Sequence, residues 1–293
     1  MTTAAASQPD FHNVVERLCE VSRNVFYNPH VRIEWPASVS ATEWCMAPEL
    51  VSLYGTPAWE ALDEAGKKKL AFFEAINFFS LNINGEKMLL EGLSRRLYSR
   101  ERPELSEYIH HFVDEENKHM LYFGTFCQKY AGKTYPDKKL ALTGNHPPKE
   151  ADFLFFLKVL AFEEIVDVYN VAMGKDERLP LVVRQINLFH HQDETRHLVF
   201  GRLLVKRLWD ELLPTLSAER VDAIREYTAT YLQANWREYY NPDVYRDANI
   251  PEAYRVYQAA LASDVTRAHR RKITEKCVRY LLEIGVLAEE PKL

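Results

Sequence analysis

The chain has 293 residues, 27% of them charged, and a formal net charge of −5. That length supports a large hydrophobic core, and the acidic balance argues against a nucleic-acid partner, which would need a basic stripe. The cysteines, Cys19, Cys45, Cys127 and Cys277, stand far apart with no C-x-x-C pair, so they read as free thiols in a reducing cytoplasm and not as zinc or dithiol sites.

In chain order, Met1 to Asp10 has no basic start and no apolar run, so no signal peptide is expected. Residues 1–56 read as a short helix over about 11–25 followed by irregular chain with Pro29, Pro36 and Pro48, an N-terminal segment expected to wrap the domain formed by 57–293. Thr56-Pro57 then supplies a helix cap followed by proline at the first helical position. From there the pattern predicts helices at 57–65, 67–100, 103–131, 148–174, 179–213, 217–240, 251–262 and 264–285, punctuated by proline and glycine. The most apolar run, 153–162, is short and interrupted by Lys158, which suits a buried helix and excludes a membrane span. The long connection over 131–150 needs a reason in a compact domain. A crossover joining two parallel helices supplies one. The expected fold is therefore all-α, a ferritin-like four-helix bundle of 67–100, 103–131, 148–174 and 179–213 with additional N- and C-terminal helices.

The chemistry is carried by these four helices. In the fourth, His190, Glu194 and His197 fall at i, i+4 and i+7, within roughly 60° of one another on one helical stripe. The second repeats the core of that pattern as Glu116-x-x-His119, and Glu86 and Glu163 precede the two copies by similar distances. Glu86 has apolar helical neighbours such as Ile83, Leu89 and Leu90, whereas Glu91 neighbours Lys87 and Arg95 and reads as a surface residue. On the third helix Glu163 and Glu164 both have apolar neighbours; Glu163 is favoured, and the pattern leaves Glu164 open. His110, His111 and His191 lie off the ligand stripe.

A single Glu-x-x-His is most often an exposed helical pair. Two copies, each with an inward glutamate upstream, are far more specific. Carboxylates buried alone would neutralise or destabilise the fold, and metal cations offset them. Mixed oxygen and imidazole ligands on two adjacent sites suit iron or manganese better than zinc or calcium. A glutamate from each of two helices with Glu-x-x-His from the other two is the ligand pattern of di-iron and di-manganese carboxylate bundles. Asp193 and Glu115, each next to a candidate ligand, are placed to hold the histidine of the opposite helix. Phe79, Phe112, Phe123, Phe156 and Phe189 could wall a pocket, although core packing is the stronger reading for each. Arg267, Arg270 and Arg271 read as a solvated helix face in preference to an acid-binding site.

The bundle motifs resemble those of the ferritin-like di-iron oxygenases. The extra histidine one turn before the second pair, His190-x-x-x-Glu194-x-x-His197, is similar in particular to the arylamine (p-aminobenzoate) N-oxygenase family, over approximately 57–285. That resemblance implies the metal ligands Glu86, Glu116, His119, Glu163, His190, Glu194 and His197, two Fe ions with Mn as the alternative, and O₂ as co-substrate. It implies an oxidoreductase that converts a small arylamine to a hydroxylamine, nitroso or nitro product in a biosynthetic pathway, fed by an external electron donor, without nucleic acid or membrane, and with a homodimer allowed. The alternatives are another di-iron redox enzyme (C–H hydroxylase, desaturase-like or radical-generating) and an iron-storage or peroxide-scavenging protein; storage is disfavoured because seven fixed ligands hinder metal release.

Overall fold

The computed structural model describes residues 11–137 and 146–293; Met1 to Asp10 and the middle of the 131–150 connection lie outside the described residues. In chain order the helices are α1 (Phe11–Asn24), α2 (Pro29–Arg32), α3 (Pro57–Glu60), α4 (Glu64–Ser94), α5 (Ser106–Ala131), α6 (Pro148–Lys175), α7 (Leu181–Leu212), α8 (Ala218–Tyr239), α9 (Pro242–Asp247), α10 (Ala253–Ala262) and α11 (Asp264–Glu283). No strand occurs among the described residues.

Local chemistry explains most of the boundaries. Thr56 caps α3 by accepting from Trp59 N, and the Asp63 carboxylate caps α4 by accepting from Gly66 N at 2.8 Å. These are the side-chain acceptors that helix N-termini require. Gly132 closes α5 at φ 64, a left-handed conformation open to glycine without strain. Several boundaries differ from expectation. Helix α4 stops at Ser94, short of residue 100, and Tyr98 turns the chain at φ 54. The following helix starts as a 3₁₀ turn, Pro103–Leu105. The short helices α2 and α9 begin at Asn28-Pro29 and Asn241-Pro242, where each asparagine side chain accepts from the second residue beyond it at 3.0 Å; an Asn-Pro pair is a start signal that longer hydrophobic periodicity overshadows.

Contacts along α4–α7 fix the topology. Helix α4 meets α5 at Phe79–Phe123 and, beyond its end, at Tyr98–His110, so the two are antiparallel. Likewise α6 meets α7 at Phe153–Trp209 and Asn170–His190. Across the bundle, α5 runs against α7 (Tyr108–Phe200, Phe123–His190), and α4 against α6 (Gly85–Phe162, Gly92–Phe155). Helices α5 and α6 therefore point the same way, so that Ala131 and Pro148 lie toward opposite ends of the bundle, as expected of a pair joined by a crossover. The α4–α6 approach depends on glycine: a Cβ on Gly85 would sit 2.7 Å from the Phe162 ring, and one on Gly92 would collide with Phe155. Helix α1 lies across α5 and α7, while α8 and α11 cover α6. Among the described residues no helix is long and apolar enough to cross a membrane.

Candidate metal centre

The four central helices aim seven side chains at one buried volume. Glu86 comes from α4, Glu116 and His119 from α5, Glu163 from α6, and His190, Glu194 and His197 from α7; none is more than 4% exposed. They form two groups whose ligand atoms lie within 4.8 Å of one another, Glu86, Glu116, His119 and His190 in one and Glu116, Glu163, Glu194 and His197 in the other. Glu116 belongs to both. All the residues singled out from sequence are thus brought together. Glu164 is buried too, but Arg202 Nε donates to it at 2.5 Å. Glu91 is exposed beside Arg95, as its neighbours imply.

The donor set fits a pair of metal cations. Glu116 Oε1, both oxygens of Glu163, Glu194 Oε2 and His190 Nε2 are buried without a hydrogen-bond partner. Each such group costs about 1–3 kcal/mol if left unpaired. Clustered lone pairs of carboxylate and imidazole are the coordination chemistry of iron and manganese.

The histidines are oriented from outside the cluster. Glu115 Oε2 lies 2.8 Å from His197 Nε2 and Asp193 Oδ2 lies 3.1 Å from His119 Nε2, so each ring gives its Nε2–H to the opposite helix and keeps Nδ1 for the interior. His119 Nδ1 is 3.0 Å from Glu116 Oε2, and His197 Nδ1 is 2.8 Å from Glu116 Oε1. His190 is reversed, with Nε2 facing inward 2.9 Å from Glu194 Oε1 and Nδ1 2.8 Å from the Asn170 amide. The Asn170 oxygen has no other partner; turned toward the ring it accepts Nδ1–H and leaves the Nε2 lone pair for a cation. Asn170 is one of the residues that sequence reading passed over. Its signal is its place on the Glu163 helix, seven residues on, which brings it to the same face.

Electrostatics describe how the metal-free cluster shares protons. Burial, with Glu116 beside it, raises the Glu86 carboxyl well above the usual range, and burial with Glu194 does the same to Glu163. Burial works against ionising Glu116 and Glu194 as well, yet His197 and the other histidines hold both low, Glu194 at about 2. Burial opposes charging His119, and Glu116 with Asp193 outweighs it and lifts the ring to about 9.

One guanidinium ties the outer carboxylates together. Arg196, 7% exposed, donates from Nη2 to Asp193 Oδ1 and to Glu115 Oε1, both at 2.7 Å, and from Nε to Ser22 Oγ on α1. Tyr27 adds a hydrogen bond to Asp193 Oδ2 at 2.7 Å. Glu115 is buried, and Arg196 and His197 supply the opposite charge that its carboxylate needs there. Replacing Arg196 with Met strands two buried carboxylates, and unfolding by denaturant should show a loss of about 3–5 kcal/mol in metal-loaded protein. Arg196→Lys should recover part of it. An unchanged midpoint in Arg196→Met would show that the two carboxylates carry no uncompensated charge.

Phe79, Phe112 and Phe123 are fully buried in the core, the stronger of the two readings their pattern allowed, and the cavity that reaches Glu163 is lined by Phe155 and Phe162. Arg270 is buried, donating to Tyr240 Oη and to the Leu261 carbonyl, and does not belong to a solvated face. His191 pairs at the rim with Asp167 at 2.6 Å. A separate group, Cys19, Glu107 and His111, could hold an ion by proximity, but Arg23 occupies the Glu107 carboxylate.

The chain matches the family model described as p-aminobenzoate N-oxygenase AurF over residues 8–285. Solved structures of an R2-like ligand-binding oxidase with reconstituted Mn/Fe cofactor are similar to it: one is 15% identical at TM-score 0.48, covering all of this chain and 96% of that one. A glutamate-to-aspartate variant of that oxidase is 16% identical at TM-score 0.49, covering 98% and 95%. A comparison with curated proteins gives no match. With a buried carboxylate and histidine dimetal site, and a family match that spans nearly its whole length, this chain belongs to the p-aminobenzoate N-oxygenase family.

Proposed function

We propose that the protein loads two iron ions, with manganese as the alternative, and oxidises the nitrogen of a small arylamine with O₂ in a biosynthetic pathway. The observation that carries this reading is the convergence of four glutamates and three histidines, with lone pairs on Glu116, Glu163, Glu194 and His190 left unpartnered. In the first oxidation, one oxygen atom of O₂ enters the N–H bond to give the hydroxylamine and the other leaves as water, with two electrons and two protons drawn from an external donor. The bound metals supply the O₂ activation. Glu115, Asp193 and Asn170 fix the ring tautomers, Phe155 and Phe162 keep water from the approach to Glu163, and Glu116 spans the two ligand groups. Residues 57–293 would form the helical domain with 1–56 laid over it, in a cytoplasmic monomer or homodimer.

Protein loaded anaerobically with Fe(II), then exposed to O₂ and an aniline, should yield N-oxygenated product by mass spectrometry. His190→Ala should keep the fold and cost more than the 10–100-fold typical of groups one step removed from a metal. His191→Ala, at the rim beside Asp167, should cost far less. Equal losses in the two variants, or C-oxidised products alone, would refute the reading.

A further inference from the structure

Between α4, α6 and α8 lies a cavity of about 170 Å³ with apolar walls, among them Leu89, Phe155, Val159 and Phe162, and with Glu163 in its lining. An apolar cavity of roughly 150 Å³ holds one benzene ring, so the space suits a single aromatic ring brought up to the ligand cluster. Among the described residues that line it, the buried polar atoms without a hydrogen-bond partner are both oxygens of Glu163 and Nδ2 of Asn235. Asn235 is 4% exposed and has no part in the site described so far.

Two contacts fix where Asn235 stands along the cavity. Tyr231 Oη donates to the Lys158 carbonyl at 3.1 Å, and the Tyr239 ring lies 5.3 Å from that of Tyr169. Helix α8 therefore runs parallel to α6, and Asn235, midway between Tyr231 and Tyr239, is level with Glu163 and Glu164, midway between Lys158 and Tyr169. A buried donor and a buried acceptor thus line one cavity at one level without bonding to each other. Such groups are costly to leave unpaired, and the space between them is the place for a polar group that belongs to neither helix. Once Glu163 is engaged on the metals, Asn235 is the donor that still lacks an acceptor.

The reaction itself supplies one. An arylamine spreads its nitrogen lone pair into the ring and accepts a hydrogen bond poorly, whereas the hydroxylamine made in the first oxidation carries an oxygen that accepts well. We propose that Asn235 is a positioning residue for the reacting nitrogen: its amide donates to the oxygen of the hydroxylamine and holds that intermediate beside the metals for a second oxidation. This rests on the N-oxygenase reading above. The second oxidation puts one oxygen atom of O₂ into the remaining N–H bond, and loss of water leaves the nitroso group; the other oxygen atom leaves as water, with two electrons and two protons again drawn from the external donor. A site without the amide donor binds amine and hydroxylamine alike and lets the hydroxylamine go.

The test is equilibrium binding of aniline and N-phenylhydroxylamine to protein loaded with Mn(II) in the absence of O₂, so that binding is read without turnover. N-phenylhydroxylamine should bind about 10-fold more tightly than aniline. Asn235→Leu should remove that difference with metal content unchanged, and Asn235→Gln, which keeps an amide donor, should restore most of it. In turnover with iron and O₂, Asn235→Leu should release hydroxylamine where the unaltered protein releases more highly oxidised product. Equal binding of the two probes by the unaltered protein, or a preference that survives in Asn235→Leu, would overturn the proposal even if anilines are oxidised. Asn235-dependent preference in a protein that oxidises no amine would instead overturn the N-oxygenase reading and leave the binding role of the amide standing.

Discussion

Replacing Glu116 with Ala is expected to empty the centre, taking metal content from about two ions per chain to near none and abolishing amine oxidation. Glu116 is the carboxylate shared by both ligand groups, fully buried and within 3.0 Å of His119 Nδ1 and 2.8 Å of His197 Nδ1. Its loss therefore removes a donor from each metal at once and takes one negative charge from both. Glu86 and Glu163 each belong to a single group, so Glu86→Ala or Glu163→Ala should cost about one ion. Glu91→Ala, on the exposed face beside Arg95, should cost none. Elemental analysis after anaerobic loading and gel filtration distinguishes these outcomes. Retention of both ions by Glu116→Ala would rule out a shared ligand at this position.

The convergence of the candidate ligands was legible because helical geometry converts spacing into direction: i, i+3, i+4 and i+7 share a stripe whatever surrounds them. The four-helix core followed for the same reason, and the parallel course of α5 and α6 followed from the length of the 131–150 connection. What spacing cannot convey is which faces meet. Arg196 looks like any helix-surface arginine until α5 brings Glu115 and α1 brings Ser22 against it. Tyr27 reaches Asp193 from a segment with little periodicity of its own. The choice of Glu163 over Glu164 was also a packing matter, since both are buried and only Arg202 separates their roles. Which rings wall the cavity was not legible, because the phenyl rings beside Gly85 and Gly92 are set by an interhelical approach that two small residues permit, and a hydrophobic pattern gives a glycine no weight.

Removing the metals should lower the thermal midpoint substantially, and the gap between loaded and metal-free protein should widen as pH rises from 6 to 9. Ions that bind only the native state stabilise it by mass action, about 4 kcal/mol at free metal a thousandfold above Kd, which for a domain of this size is on the order of 10 °C. The pH dependence follows from the direction of each shift. In the metal-free fold Glu86 and Glu163 are raised above their unfolded values by burial among like charges. They keep protons that the unfolded chain releases, so the stability tied to those protons is lost as pH climbs through their raised values. His119, raised to about 9 by Glu116 and Asp193, contributes fully below its unfolded value near 6.5 and loses that contribution as pH passes about 9. Glu194, held at about 2, acts only below about 4.5, outside the window. The loaded protein changes in the opposite direction, because its ligands are already deprotonated and protons compete less for them as pH rises. Thermal scans of both forms at pH 6 and pH 9 measure the gap directly. Coincident scans, or a gap that narrows toward pH 9, would show that the glutamates and histidines do not act together on bound metal.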